Sequence, residues 1–406
     1  MNILERFISY TRFATTSNDD SDVCPSNPDE FLLANHLCEE LKQLGVKDAH
    51  VDEQCFVYGT LESNVPNECP TIGFLAHMDT SNATSGTGVK ARVIENYDGG
   101  DIELSPGIVT TVADYPDLES LKGKTLVVTD GTTLLGGDDK AGIAIIMDYV
   151  QRCHEDPSIR HGKILVCFTP DEETGCGIHH IDLKEFKPDF AYTVDGGSPE
   201  TIAYECFNGA SAEIRFHGNS IHPGSAKGKM INACQLAIDF HNMLPVFDRP
   251  ENTEGREGFN HLLGLQGDCQ SAESVYIIRN HDSALFEKQK KDFEMIRDTL
   301  NTRYGREVVE LHLNDTYRNM AECFKGREYI IDYMINALKE TGYEPRSEAI
   351  RGGTDGSQLS FMGIPTPNLG TGDFYCHGNH ELVCVEYMQS MVDVVMKIAQ
   401  ASCEVK

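Results

Sequence analysis

Four apolar runs in this chain each lead into an acidic residue. They are TIGFLAHMD (71–79), KTLVVTD (124–130), KILVCFTPDE (163–172) and FAYTVD (190–195). Runs of this length, rich in Val, Ile, Leu and Phe, read as β-strands. Helical patterns lie between or near them. The clearest is AGIAIIMDYVQR (141–152), apolar nearly all round and therefore expected to be buried. Strands alternating with helices predict an α/β layer fold with a mixed, mostly parallel sheet flanked by helices.

The chain has 406 residues, more than one ordinary core holds, so two domains are expected. The middle has a different texture. A short strand AEIRFHG (212–218) precedes a helix KMINACQLAIDFHNML (229–244), and a strand SVYIIRN (274–280) precedes a long amphipathic helix (282–305) and a strand VVELHLND (308–315). Two such β-α-β-like halves predict a small ferredoxin-like layer. The expected organisation is a catalytic domain in two parts, 1–207 and 321–406, with an α+β domain, 208–320, inserted between them. The last part returns to the first texture: helix-like YIIDYMINALKETG (329–342), a loop RGGTDGS, and a final helix from near Val385 to about Ser402.

The formal charge is −30, from 34 Lys plus Arg against 64 Asp plus Glu. That field repels phosphate backbones and anionic lipid, which argues against nucleic-acid and membrane partners. It suits metal ions and protonated amines. No apolar stretch approaches the roughly 20 residues of a membrane span. The start, MNILERFISYTRF, reads as an amphipathic helix and not as a signal peptide. The 14 cysteines form no C-x-x-C pair. They read as free thiols of a reducing, cytoplasmic compartment, and structural zinc through cysteine is not expected.

Ligand sites of open α/β sheets form at the carboxyl ends of strands. Polar residues fall there repeatedly: His77 and Asp79 after TIGFLA, Asp138 and Asp139 in GGDDKAG, Glu172 and Glu173 after KILVCFTP, Asp195 after FAYTV, and His377 in YCHGNHE. A single histidine or aspartate at a strand end is commonly structural. Five such placements in one chain point to a shared site. His77, Asp138, Glu173, Asp195 and His377 offer imidazole and carboxylate but no thiolate, a donor set that suits zinc, with cobalt or manganese as substitutes. Five ligands exceed the roughly three that one catalytic zinc takes, and fit two metals if a carboxylate bridges. Asp79 is placed to hydrogen-bond the free ring nitrogen of His77. Glu172, beside ligand Glu173 but pointing elsewhere, is the expected general base.

The stretches AHMDT (76–80), GGDDKAG (136–142), PDEETGCG (170–177), VDGG (194–197) and HGNHE (377–381) resemble the M20 metallopeptidase family. HPGSAKGKMINA (222–233), TEGREGFNHL (253–262) and RGGTDGSQLSFMGIPTPNLGTG (351–372) are similar to its tripeptide aminopeptidase branch, and the likeness runs almost end to end. The resemblance implies a zinc-peptidase-like catalytic domain with an inserted lid. It implies two zinc ions, one on His77 and Asp195, the other on Glu173 and His377, with Asp138 bridging and a cis peptide between Asp138 and Asp139. It implies that His222 of the HPG motif stabilises the oxyanion, and that Arg279 and Arg351 bind the carboxylate of a small peptide. Dimerisation through the lid is also implied. The same site could serve a dipeptidase, a carboxypeptidase or an N-acyl amino-acid deacylase. Asp373 and Cys376 before His377, and the acidic NDDSDVCPSNPDE (18–30), depart from the family texture.

Overall fold

The computed structural model describes residues 1–404. They form two compact units: Met1–Tyr204, Cys323–Glu348 and Thr354–Lys406 make one, and Glu205–Glu322 with Ala349–Gly353 the other. The segment Ala349–Gly353 was expected in the last catalytic part, 321–406. It groups instead with the second unit, and takes Arg351 with it.

An eight-stranded sheet runs in the order His50–Val51, Val57–Leu61, Ile164–Thr169, Ile72–His77, Phe190–Val194, Asn368–Leu369, Thr201–Cys206, Arg346–Ile350. The four central strands are parallel, with His77 opposite Thr169, Leu75 opposite Thr193, and Val194 opposite Leu369. Their carboxyl ends therefore lie along one edge. The strands Ile72–His77, Ile164–Thr169 and Phe190–Val194 are buried at every residue. Phe74 packs against Tyr149 of the helix Gly137–Glu155 and against Tyr192. Leu75, pointing the other way, joins Phe56, Tyr58, Leu165, Cys167, Phe186 and Leu359. A sheet covered on both faces is apolar without alternation, which is why these runs look continuous in the sequence. Each such side chain contributes about 1.5–3 kcal/mol on burial.

The run KTLVVTD behaves differently. Its strand, Leu126–Val128, lies outside the large sheet, in a four-stranded one between Leu382–Cys384 and Arg92–Ile94, both antiparallel to it. Leu126 and Val128 serve a satellite core with Tyr97, Leu118, Leu121 and Leu382. Local composition cannot tell which of two sheets a short apolar run will join.

The first helix, Ile3–Tyr10, is amphipathic, with Ile3, Phe7 and Tyr10 buried. Arg6 within it is buried too, bonded to Glu40 at 2.8 Å and Asp148 at 3.2 Å. Among the described residues no helix is long and apolar enough to cross a membrane.

The second unit has its own antiparallel sheet, ordered Phe259–Gly267, Ser271–Asn280, Asn208–His217, Val309–Tyr317. The helices Ala233–Met243 and Ser283–Tyr304 connect its strands in β-α-β-β-α-β order. Phe240, Phe293, Ile296, Tyr276 and Ile214 fill the space between helices and sheet.

Candidate metal centre

His77 ends its strand, and Asp79, Glu172, Glu173 and Asp195 follow the ends of the parallel strands. Asp138 comes from a different element, the start of the helix Gly137–Glu155. There Asp138 and Asp139 depart from helical backbone, and the peptide between them is cis. His377 sits in a loop after the short strand Asp373–Phe374, with φ +61.

Asp138 stands between the two histidines. His77 Nε2 lies 2.8 Å from its Oδ1, and His377 Nε2 lies 3.1 Å from its Oδ2. The same His377 nitrogen is 3.0 Å from Glu173 Oε1. An imidazole nitrogen and a buried carboxylate oxygen at this separation, beside Asp138, suit a shared cation. Ligand atoms of His77, Asp138 and Glu173 fall within 4.8 Å of one another, as do those of His77, Asp139 and Asp195. A third such group is Asp138, Asp373 and Cys376. The donor set on either side of Asp138 thus fits divalent metal.

Asp79 does more than face His77, whose Nδ1 is 3.2 Å from its Oδ1. Asp79 is fully buried and accepts the backbone N–H of Glu172 and of Glu173, each at 3.0 Å, and the hydroxyl of Ser17. His77 Nδ1 also lies 3.1 Å from the backbone oxygen of Asp79, so this residue meets the imidazole through main chain and carboxylate, while its carboxylate anchors the backbone of both glutamates. Asp171 is turned away. Its φ is +55 and its carboxylate binds the backbone and hydroxyl of Ser26, in the acidic segment 18–30.

Burial raises the carboxyl pKa of Glu172 well above its ordinary value, with Asp195, Asp355 and Asp138 adding to the effect and His77 opposing it. Burial also lifts Asp195, to about 8, assisted by Asp138. Burial works the same way on Asp138, but hydrogen bonds from His377 and His77 outweigh it and hold that carboxyl below its usual range. Negative charge is concentrated here beyond what the two imidazoles neutralise, and a divalent cation would relieve it.

The helix carrying Asp138 approaches the sheet closely. A Cβ on Gly142 would stand 1.8 Å from the carbonyl oxygen of Val194, next to Asp195. Gly142→Ala is expected to cost at least the roughly 1–3 kcal/mol of overpacking, because the obstacle is backbone. A chemical-denaturation midpoint equal to wild type would contradict this close approach.

The model of peptidase family M20/M25/M40 matches residues 128–401. The chain is 46% identical over 400 residues to peptidase T of Caldanaerobacter subterraneus subsp. tengcongensis, covering 98% of each. This chain belongs to peptidase family M20.

Its fold is that of crystallised aminopeptidase PepT from Bacillus cereus, at TM-score 0.79, 20% identity, and coverage of 99% of this chain and 98% of that one. It is also that of a tripeptidase from Staphylococcus aureus, at TM-score 0.77, 20% identity and the same coverage. Membership makes the chain a hydrolase of peptide bonds.

The remaining residues singled out in the sequence lie in the second unit. His222 is exposed, and its Nδ1 accepts the backbone N–H of Gly224 at 3.1 Å. The ring proton then resides on Nε2, leaving that nitrogen as a donor. Arg279 donates to the carbonyls of Ala210 and Ile278, at 3.2 and 3.0 Å, and lies over the Tyr317 ring. Arg351 donates to Gly255 O at 2.8 Å and to Thr253 Oγ1 at 3.2 Å, against the rings of Phe207 and Phe259. Carbonyls and aromatic faces hold both guanidiniums.

Three acidic residues beside the metal cluster were given no role from the sequence, although Asp139 lies in GGDDKAG, Asp355 in RGGTDGS and Asp373 before His377. Asp139 accepts the backbone N–H of His77 at 3.1 Å and of Gly142 at 3.2 Å. Asp355 is buried and takes the Thr169 hydroxyl at 2.7 Å. Asp373 takes the Thr371 hydroxyl and the Cys376 thiol, at 2.8 and 2.7 Å. Their places in these stretches flagged them, but not which backbone N–H or hydroxyl each would hold.

Proposed function

We propose that this chain is a cytoplasmic aminopeptidase that releases the N-terminal residue of tripeptides at a centre of two divalent ions, zinc by donor type. The observation that carries this reading is Asp138, with one oxygen toward His77 and the other toward His377. Asp195 would complete the His77 side and Glu173 the His377 side. Two ions held there would supply Lewis acidity, acidifying water and polarising the scissile carbonyl. Full-length relatedness to peptidase T supports the substrate class.

Glu172 accepts the proton of the attacking water on a side-chain oxygen. The water oxygen bonds to the carbonyl carbon, the C–N bond breaks, and Glu172 returns the proton to the departing nitrogen. Asp79 keeps Glu172 in place through its backbone and keeps the His77 ring turned. We assign His222, with its proton on Nε2, to the developing oxyanion. Arg279 and Arg351 are assigned to the peptide carboxylate, since a guanidinium meets a carboxylate with two parallel bonds. A homodimer through the second unit is part of this reading. Leu263 and Leu265 on its edge strand are exposed, which supports such a contact. Free thiols at all 14 cysteines are in keeping with a reducing compartment.

Hydrolysis of a tripeptide, a dipeptide, an N-blocked tripeptide and a C-terminally amidated tripeptide tests the assignment. The free tripeptide is expected to be the best substrate, with the N-blocked one inert. Amidation removes the charge but not the scissile bond, and is expected to lower kcat/KM by about 1.5–3 kcal/mol, the worth of a hydrogen bond to a charged group. Arg279→Ala and Arg351→Ala should reduce hydrolysis of the acid far more than of the amide. Equal losses on both would leave these arginines as structural residues, and preference for a dipeptide or an N-blocked substrate would overturn the substrate class.

A further inference from the structure

We propose that Glu381 is a positioning residue for Asp138, holding the backbone of the loop that presents it and tying that loop to the His377 segment. Glu381 is 1% exposed. One of its oxygens accepts the N–H groups of Leu135 and Gly136, at 2.6 and 2.8 Å, and the other accepts the N–H of Asp138 at 3.0 Å. All three donors lie at the start of the helix Gly137–Glu155. That helix begins after Gly136, which has no side chain to cap it. A buried carboxylate supplied from the far end of the chain does the capping, where the first N–H groups of a helix lack partners and the helix dipole favours negative charge.

The placement relative to the metal cluster sets this carboxylate apart from an ordinary cap. Asp138, whose N–H it binds, has backbone angles outside the helical region and a carboxylate lying between two histidines. Glu381 also follows His377 by four residues and closes that segment with a bond from its own N–H to Gly378 O at 3.3 Å. One residue thus links the loop of the bridging carboxylate to the loop of the exposed histidine. The fit is tight. A Cβ on Gly137 would come within 3.1 Å of Glu381 Oε1 and 2.6 Å of Val383 Cγ2.

The role demands a group that only accepts. Three N–H donors converge on two oxygens, so a glutamine in the same place turns an NH₂ toward at least one of them. Its single oxygen can serve Leu135 and Gly136, or Asp138, but not all three. Glutamine preserves shape and volume while disturbing the hydrogen bonding that sets Asp138, and alanine removes it altogether.

Glu381 can act this way only if Asp138 holds metal, as proposed above. The test is competition for Zn²⁺ between a graded chelator and the wild type, Glu381→Gln, Glu381→Ala and, as a control, Leu382→Ala. Leu382 packs into the satellite core with Tyr97, Leu118 and Leu121 and carries no polar contact to the loop. Folding of each variant is followed by circular dichroism. Glu381→Gln is expected to fold and to bind Zn²⁺ about 10–100-fold more weakly, the usual loss when a ligand's supporting partner is removed. Glu381→Ala should lose at least as much, and Leu382→Ala should lose stability while keeping wild-type Zn²⁺ affinity. Wild-type affinity in folded Glu381→Gln and Glu381→Ala would overturn the role, as would an unfolded Glu381→Gln, which would make Glu381 a stability residue. Wild-type protein that takes up no Zn²⁺ would instead sink the metal reading of Asp138.

Discussion

Glu172→Gln is expected to leave the metal content of the chain intact and to remove most of its turnover. The amide keeps the size of the side chain and its backbone N–H bond to Asp79. It cannot accept the proton of the attacking water or return it to the leaving nitrogen. General acid–base assistance is worth about 10²–10⁴-fold, so kcat should fall by that factor with little change in KM. Glu173→Gln, one residue on, should act on metal binding instead, because Glu173 Oε1 is the buried oxygen beside His377. Measuring kcat and metal content on both variants separates the two roles. Near-normal kcat for fully loaded Glu172→Gln would show that another group moves the proton.

Asp138→Ala should be more damaging. Removing this carboxylate takes away the one group that faces both His77 and His377. Metal content is expected to fall below two per chain and hydrolysis to drop by more than the roughly 10²–10⁴-fold assigned to the base. The fold should survive, because the hydrogen bonds of the Asp138 carboxylate go to the side chains of His77 and His377 and not to backbone N–H groups. Asp138→Ala that keeps both ions would remove the bridge from the account.

Three of the four parallel strands, Ile72–His77, Ile164–Thr169 and Phe190–Val194, and the residues at their ends were legible because two physical signals coincide there; the two-residue fourth, Asn368–Leu369, was not. Burial on both faces makes the strands uninterruptedly apolar, and the polar residues that follow are conspicuous against them. His77, Glu173 and Asp195 could be read in this way. Asp138 and His377 could not be placed by strand ends in the large sheet. The strand before Asp138, Leu126–Val128, belongs to a different sheet, and His377 lies in a loop with left-handed φ. The grouping of Arg351 with the second unit was likewise invisible, since nothing in RGGTDGS marks where one compact unit hands over to the other. Glu381 and Asp139 stand in the quoted stretches HGNHE and GGDDKAG, but the backbone N–H groups they accept, like the bond from the Ser17 hydroxyl to Asp79, leave no period and no spacing to find. The sequence shows where charge gathers, but which carboxylate faces a histidine and which grips a backbone emerges only when the loops are folded.

Metal stoichiometry bears most directly on the central claim. Purified wild-type chain is loaded with Zn²⁺, freed of excess by gel filtration, and its zinc measured by elemental analysis against protein concentration, with tripeptide hydrolysis followed on the same samples. Two zinc ions per chain at full activity, with activity lost as they are withdrawn by a chelator, is the predicted result. One ion or none in a fully active preparation would contradict a centre built around a bridging Asp138.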